Sequence, residues 1–137
     1  FCEKTGIGVI NTFMAKGCVD MDADYCLYTI GLQSRDVITC ALDAADVVLT
    51  LGYDMVEYHP SLWNKEGKHH IIHADFQPTE IDSDYLPETE LVGDLAHTLW
   101  MLNKRIDTYN EINNNPLNFN TSHQMATRKS MREELSI

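Results

Sequence analysis

Four short apolar runs set the terms on which this chain can fold: residues 7–12, 47–51, 71–74 and 91–92. Each is too brief for a helix, and the first three are rich in Val and Ile, so each reads as a buried strand. Between them lie stretches with a different period. Over 31–45, Val37, Ile38, Ala41, Leu42 and Ala45 fall on one helical face, with Ser34 placed to cap and Asp36 in the first turn. Over 95–110, Leu95, Leu99 and Leu102 recur at helical spacing, Trp100 and Ile106 add apolar surface, and Lys104 and Arg105 lie toward the C-terminal half. Apolar strands alternating with helices predict an α/β fold, a parallel sheet flanked by helices.

The remaining segments connect these elements. Residues 13–24 and 53–68 read as loops with room for short turns, and Pro78 and Pro87 bracket an acidic connection holding Ile81 and Tyr85. Residues 110–122 carry six Asn and Pro116 and read as a linker; 125–135 follows as a short amphipathic helix. The expected division is therefore a domain over 1–109 and a linker with short helix over 110–137.

Three of the strands end in Gly or Asp: Leu51-Gly52, Ala74-Asp75 and Val92-Gly93-Asp94. In open α/β sheets ligands bind at the carboxyl ends of strands, where glycine lets a backbone come close and an acid accepts from a ribose hydroxyl. The same residues also make ordinary strand-end turns. The pattern alone leaves both readings open.

Charge narrows the choice of partner. The 137 residues hold 10 Lys+Arg against 21 Asp+Glu, a net charge of -11. Sixteen acids against three bases fall between Gly17 and Asp94. Nucleic acid requires a basic face, and so does an anionic membrane, so neither is an expected partner. Cys2, Cys18, Cys26 and Cys40 contain no C-x-x-C pair and read as reduced thiols of a cytoplasmic protein, not as a zinc site. The chain lacks G-x-G-x-x-G after a strand, a P-loop and a G-x-S-x-G elbow. Of His69, His70 and His73, the first and third share a strand face; a solvated strand start with one packed histidine is expected, with no metal. Asp20, Asp22 and Asp24, like Asp82 and Asp84, lack the Gly and terminal Glu of a calcium loop and read as solvated. Trp63 and Trp100 read as core or interface anchors. No complete catalytic set is visible, and none is assigned.

A resemblance extends this picture. The run Thr5-Gly-Ile-Gly-Val-Ile-Asn-Thr-Phe-Met-Ala-Lys-Gly17 resembles the T-G-I-P-V-x-x-T-x-x-G-K-G opening of the central domain of thiamine-diphosphate-dependent enzymes, with Gly8 for Pro and Ala15 for Gly. Ile30-Gly-Leu32 follows. Ala45-Asp-Val-Val-Leu-Thr-Leu-Gly52 resembles A-D-L-V-L-x-L-G, Ile71-Ile-His-Ala-Asp75 resembles I-I-H-I-D, and Glu90-Leu-Val-Gly-Asp94 resembles x-x-V-G-D. Together the blocks cover about residues 1–105. Gly52-Tyr-Asp-Met-Val-Glu-Tyr-His-Pro-Ser-Leu-Trp-Asn64 and the run from Tyr85 to Asp94 look most like acetolactate synthases of the catabolic, FAD-independent kind. The FAD-dependent ones carry Ala where Tyr53 stands here, with an Arg beyond.

The resemblance implies a Rossmann-like central domain lacking its first strand-helix unit ahead of Thr5. Its nucleotide pocket is expected to be vestigial, made of Gly31, Leu32, Gly52, Tyr53, Asp75, Gly93 and Asp94, with Tyr53 and Tyr58 as fillers. It implies that thiamine diphosphate and Mg²⁺ are bound outside this segment, since the family's activating Glu and G-D-G…N motif lie in the other domains; Gly93-Asp-Leu95 is not that motif. It implies a scaffolding role in a homotetramer that joins two pyruvates into 2-acetolactate with loss of CO₂, the segment alone being inactive and FAD not expected. The alternative reading is an FAD- or ADP-binding central domain of another thiamine enzyme, such as a pyruvate oxidase or decarboxylase.

Overall fold

The apolar runs become parallel strands. In the computed structural model, which describes residues 1–31 and 38–135, the elements are α1 (Cys2–Thr5), β1 (Val9–Asn11), β2 (Cys26–Thr29), α2 (Thr39–Asp43), β3 (Val47–Leu51), β4 (His70–Asp75), β5 (Thr89–Val92), α3 (Leu95–Asn113) and α4 (Ser122–Leu135). Single 3-10 turns lie at Phe13–Ala15, Pro60–Leu62 and Lys65–Gly67. β3, β4 and β5 form one parallel sheet in that order, with Val47 opposite His70 and Ile72 opposite Thr89. β1 and β2 form a second parallel pair. Parallel sheets with helices are the expected class.

The strand expected at 47–51 is matched residue for residue, and those at 71–74 and 91–92 lengthen slightly. β2 was not anticipated. All but the last of its residues are buried, so it shows no alternation. It is also irregular. Val9 faces Cys26 while Asn11 faces Thr29, so β2 carries one residue more than β1 over this span. Within it Tyr28 takes φ 65, a left-handed conformation unusual for an aromatic residue, as expected at a β-bulge.

Of the helix expected over 31–45, Ser34, Asp36 and Val37 lie outside the described residues, as does Leu32. Ile38 and Ala41 are buried where the periodicity placed them. α3 starts at its Asp94 cap, whose carboxylate accepts the His97 N–H at 2.7 Å. It runs past Asn110 to Asn113, closed by Asn114 at φ 48. Its apolar stripe, Leu95, Leu99, Leu102 and Ile106, is half-buried. Lys4 bridges α1 to Asp107 of α3 at 2.7 Å.

One core spans both sheets. Cys26, Leu27, Tyr28 and Ile30 meet Ile38 and Ala41, the loop residues Tyr58, Trp63 and Tyr85, Ile71 of β4, and Met131 of α4. Thus α4 folds back onto the domain, with Met131 fully buried. Gly8 belongs to this contact. Its N–H donates to Gln124 Oε1 at 2.7 Å, and a Cβ there would stand 2.5 Å from Leu27 Cδ1, so no larger residue fits unless Leu27 moves. Among the described residues no helix is long and apolar enough to cross a membrane.

Candidate functional site

The carboxyl ends of β3, β4 and β5 are drawn together by backbone bonds. Gly52 N–H donates to Ala74 O at 2.9 Å, and Gly93 N–H to Asp75 O at 2.8 Å. Gly52 has φ 58, and a Cβ on it would lie 3.1 Å from Leu95 Cδ1 of α3. Glycine is therefore demanded there by backbone conformation and by the neighbouring helix. Gly93 differs, since a Cβ would meet nothing within 4 Å. Asp75 Oδ1 accepts the Phe76 N–H at 2.6 Å, and Asp94 is spent on the α3 cap. Gly31 lies apart at the end of β2, its nearest neighbour Phe13 of the other loop. So Gly52, Asp75, Gly93 and Asp94 share one edge of the sheet, Gly31 does not join them, and both carboxylates accept local backbone hydrogen bonds.

Beside this edge an aromatic layer covers one face of β3 and β4. Tyr53 leaves β3 and packs its ring 5.8 Å from Trp63 and 5.3 Å from Tyr85. Its hydroxyl donates to the Tyr58 carbonyl and accepts the Trp63 Nε1–H at 3.0 Å. Burial drives the Tyr53 pKa well above its ordinary value, against the opposing pull of the Trp63 hydrogen bond. Tyr58 is itself buried. The two tyrosines expected to fill the pocket are thus tied to each other and to the wall beneath.

Tyr85 anchors the layer and is fully buried. Its hydroxyl lies 2.7 Å from Thr50 Oγ1 and 2.9 Å from His73 Nδ1. Thr50 Oγ1 lies 3.3 Å from the Ile72 carbonyl, and His73 Nε2 3.3 Å from that of Gln77. A carbonyl only accepts, so His73 Nε2 carries the proton and Nδ1 accepts from Tyr85. The single Thr50 hydroxyl proton is then shared between Tyr85 Oη and the Ile72 carbonyl. Burial pushes the Tyr85 hydroxyl up to about 12, although its bond to Thr50 acts the other way.

Asn64, 1% exposed, staples the two long loops. Its Nδ2 donates to Asp84 O at 2.6 Å, and its Oδ1 accepts the His69 N–H at 2.8 Å. His69 donates from Nδ1 to Ala45 O at 2.8 Å and stacks on Trp63 with ring centroids 6.0 Å apart. His69 and His73 are therefore both packed and only His70 is exposed, a correction to the single packed histidine expected. Sequence reasoning also passed over Tyr85 and Arg128. A lone Tyr between two prolines was the available signal for the first; nothing in the sequence marked the second.

Among the described residues the arrangement offers buried, mutually bonded polar groups, and each strand-end carboxylate accepts a backbone N–H. Among the described residues no group of three His, Cys, Asp or Glu side chains is placed to hold a metal ion. Among the described residues two clefts lie elsewhere, beside α4. One of about 210 Å³ is lined by Asp24, Met125, Arg128, Lys129 and Arg132. Another of about 500 Å³ has Cys2, Asp20, Tyr25 and Thr121 among its walls. Neither includes a strand-end residue of the expected pocket.

Comparison with known proteins agrees with this architecture. Residues 1–102 match the family described as thiamine pyrophosphate enzyme, central domain. The chain is 39% identical over 98 residues to an acetolactate synthase of Bacillus subtilis (strain 168), covering 71% of this chain and 17% of that protein. It is 38% identical over 78 residues to a catabolic acetolactate synthase of Raoultella terrigena, covering 57% and 14%. It is 31% identical over 105 residues to a glyoxylate carboligase of Escherichia coli O157:H7, covering 74% and 18%. The chain thus spans less than a fifth of the length of these relatives. The family match covers well over half the chain, so the chain belongs to the thiamine pyrophosphate enzyme central-domain family.

Proposed function

We propose that this chain is the middle domain of an acetolactate synthase that joins two pyruvates into 2-acetolactate and releases CO₂. Its part is to space and support the domains that bind thiamine diphosphate and Mg²⁺ in a cytoplasmic homotetramer. The observation that carries this reading is the strand-end edge. Its carboxylates are engaged by Phe76 N and His97 N, and its aromatic hydroxyls are bonded to one another's neighbours. Such a site is built to hold shape. The named relatives include two acetolactate synthases, which favours this reading over a pyruvate oxidase or decarboxylase.

Two further points belong to the proposal. The edge that carries Gly52, Tyr53, Asp75, Gly93 and Asp94 is a nucleotide site in vestige, with Tyr53 holding the ground that a ligand would need. The domain over 1–109 has one more strand ahead of α1, and 110–137 leads toward the cofactor-binding domain. Sheet pairing supports the extra strand. In the doubly wound order the first strand lies between the second and the fourth, and β1 and β3 each pair on one side only among the described residues.

The test expresses the uninterrupted reading frame around this segment and assays acetolactate formation from pyruvate with thiamine diphosphate and Mg²⁺. The longer product is expected to be active and the 137-residue chain inert. Acetolactate formation by the chain alone would overturn the proposal. FAD and ADP titrated calorimetrically into the chain are expected to give no heat; saturable binding of either would restore a functional nucleotide pocket.

A further inference from the structure

Arg128 is a charged residue only 8% exposed, and its surroundings explain how that is tolerated. The guanidinium donates from Nε to Cys26 O at 3.0 Å, and from one Nη to Asp22 O at 3.1 Å and Met21 O at 3.4 Å. The other Nη stands 3.6 Å from Asp24 Oδ1, a carboxylate whose side chain is 85% exposed. Three backbone carbonyls from the loop before β2 and from β2 itself thus converge on one planar fork. Guanidinium donors match such a set where a point-charge ammonium does not.

The contact continues along α4. Gln124, one turn before Arg128, takes the Gly8 N–H. Met131, just under one turn after it, is fully buried in the core with Cys26 and Leu27. Residues 124, 128 and 131 recur at i, i+4 and i+7, a single stripe. The tether supplies little of this hold, since residues 114–120 between α3 and α4 are all exposed.

We propose that Gly8 and the segment 20–26 form a receptor site for a guanidinium-bearing helix, filled in cis by α4. α4 is thereby latched to β2 instead of swinging on its Asn-rich tether. The site stands whatever reaction the parent enzyme performs.

The test severs the tether in the full 137-residue chain. A protease site is placed within 114–120, the chain is cleaved after folding, and retention of the α4 piece is followed by size-exclusion chromatography across a dilution series. The α4 piece is expected to co-elute with the body at tens of micromolar. Arg128→Ala is expected to weaken retention at least about tenfold, with Arg128→Lys in between. Asp24→Asn, which removes only the exposed ion pair, should change it by less than about twofold. Immediate separation of the cleaved wild-type chain would refute the receptor. A loss in Asp24→Asn as large as in Arg128→Ala would refute the carbonyl assignment. If Arg128→Ala fails to fold, Arg128→Lys and the cleaved wild type decide: undiminished retention in Arg128→Lys would refute the guanidinium reading.

Discussion

Replacing Tyr85 by Phe tests the layer over β3 and β4 at its most buried point. The ring fits unchanged and only the hydroxyl is lost, together with its contacts to Thr50 Oγ1 at 2.7 Å and His73 Nδ1 at 2.9 Å. Thr50 keeps the Ile72 carbonyl, but His73 Nδ1 is left buried without a donor. One ordinary hydrogen bond is worth about 1 kcal/mol and an orphaned buried acceptor costs about 1–3 kcal/mol, so the loss near neutral pH should be about 2 kcal/mol. Urea unfolding at pH 7 measures it. The pH dependence makes the test specific. The folded Tyr85 hydroxyl titrates near 12 against an ordinary 10, so between those values the unfolded chain has released a proton that the native chain still holds. Wild-type stability from this group is complete below pH 10 and falls by up to about 1.4 kcal/mol per pH unit above it. Tyr85→Phe lacks that loss. Its deficit should therefore shrink as pH rises from 10 toward 11.5. A deficit below about 0.5 kcal/mol at pH 7, or one that stays constant through pH 11, would refute the reasoning.

Other substitutions separate fold requirements from chance. Gly52→Ala meets both φ 58 and Leu95 at 3.1 Å and should cost about 1–2 kcal/mol, whereas Gly93→Ala enters open space and should stay within about 0.5 kcal/mol; thermal midpoints of the two compared side by side decide it. Asp94→Ala removes the α3 cap and should cost about 1 kcal/mol, while Asp94→Asn should keep most of the stability, as read by urea unfolding. Trp63 is 6% exposed and Trp100 49%, with Lys104 Nζ 3.8 Å from the Trp100 ring centre. Trp100→Phe should therefore leave a blue-shifted emission that resists acrylamide, and strong residual quenching would place Trp63 in solvent.

What could be read from sequence and what could not divides along physical lines. β3 and β4 were legible because Val47–Leu51 and the Ile71-Ile pair carry strand propensity between Gly and Asp punctuation. α3 was legible because Leu95, Leu99 and Leu102 carry a helical period that long-range packing did not alter. β2 was not called although Tyr25 to Ile30 holds strand formers, and its bulge at Tyr28 depends on pairing with β1, which no local signal encodes. The candidate pocket was half legible. Gly52, Asp75, Gly93 and Asp94 do meet along one edge, while the Tyr53–Trp63–Tyr85 layer comes from loops without period. Arg128 was illegible because a charged helix residue normally faces water; only the fold shows three carbonyls waiting for it.

The staple at Asn64 gives the molecule a chemical clock. Hydrolysis of that one amide to a carboxylate would turn the donor facing Asp84 O, now at 2.6 Å, into a second acceptor, and oxygen would confront oxygen in a site closed to solvent. Its surroundings shield Asn64 from water, so ageing should begin at exposed asparagines such as Asn114 and Asn118. Once it reached Asn64, the loops on either side of β4 would part together, and mass spectrometry of stored protein should find a gain of one mass unit at this residue chiefly in chains that have already opened.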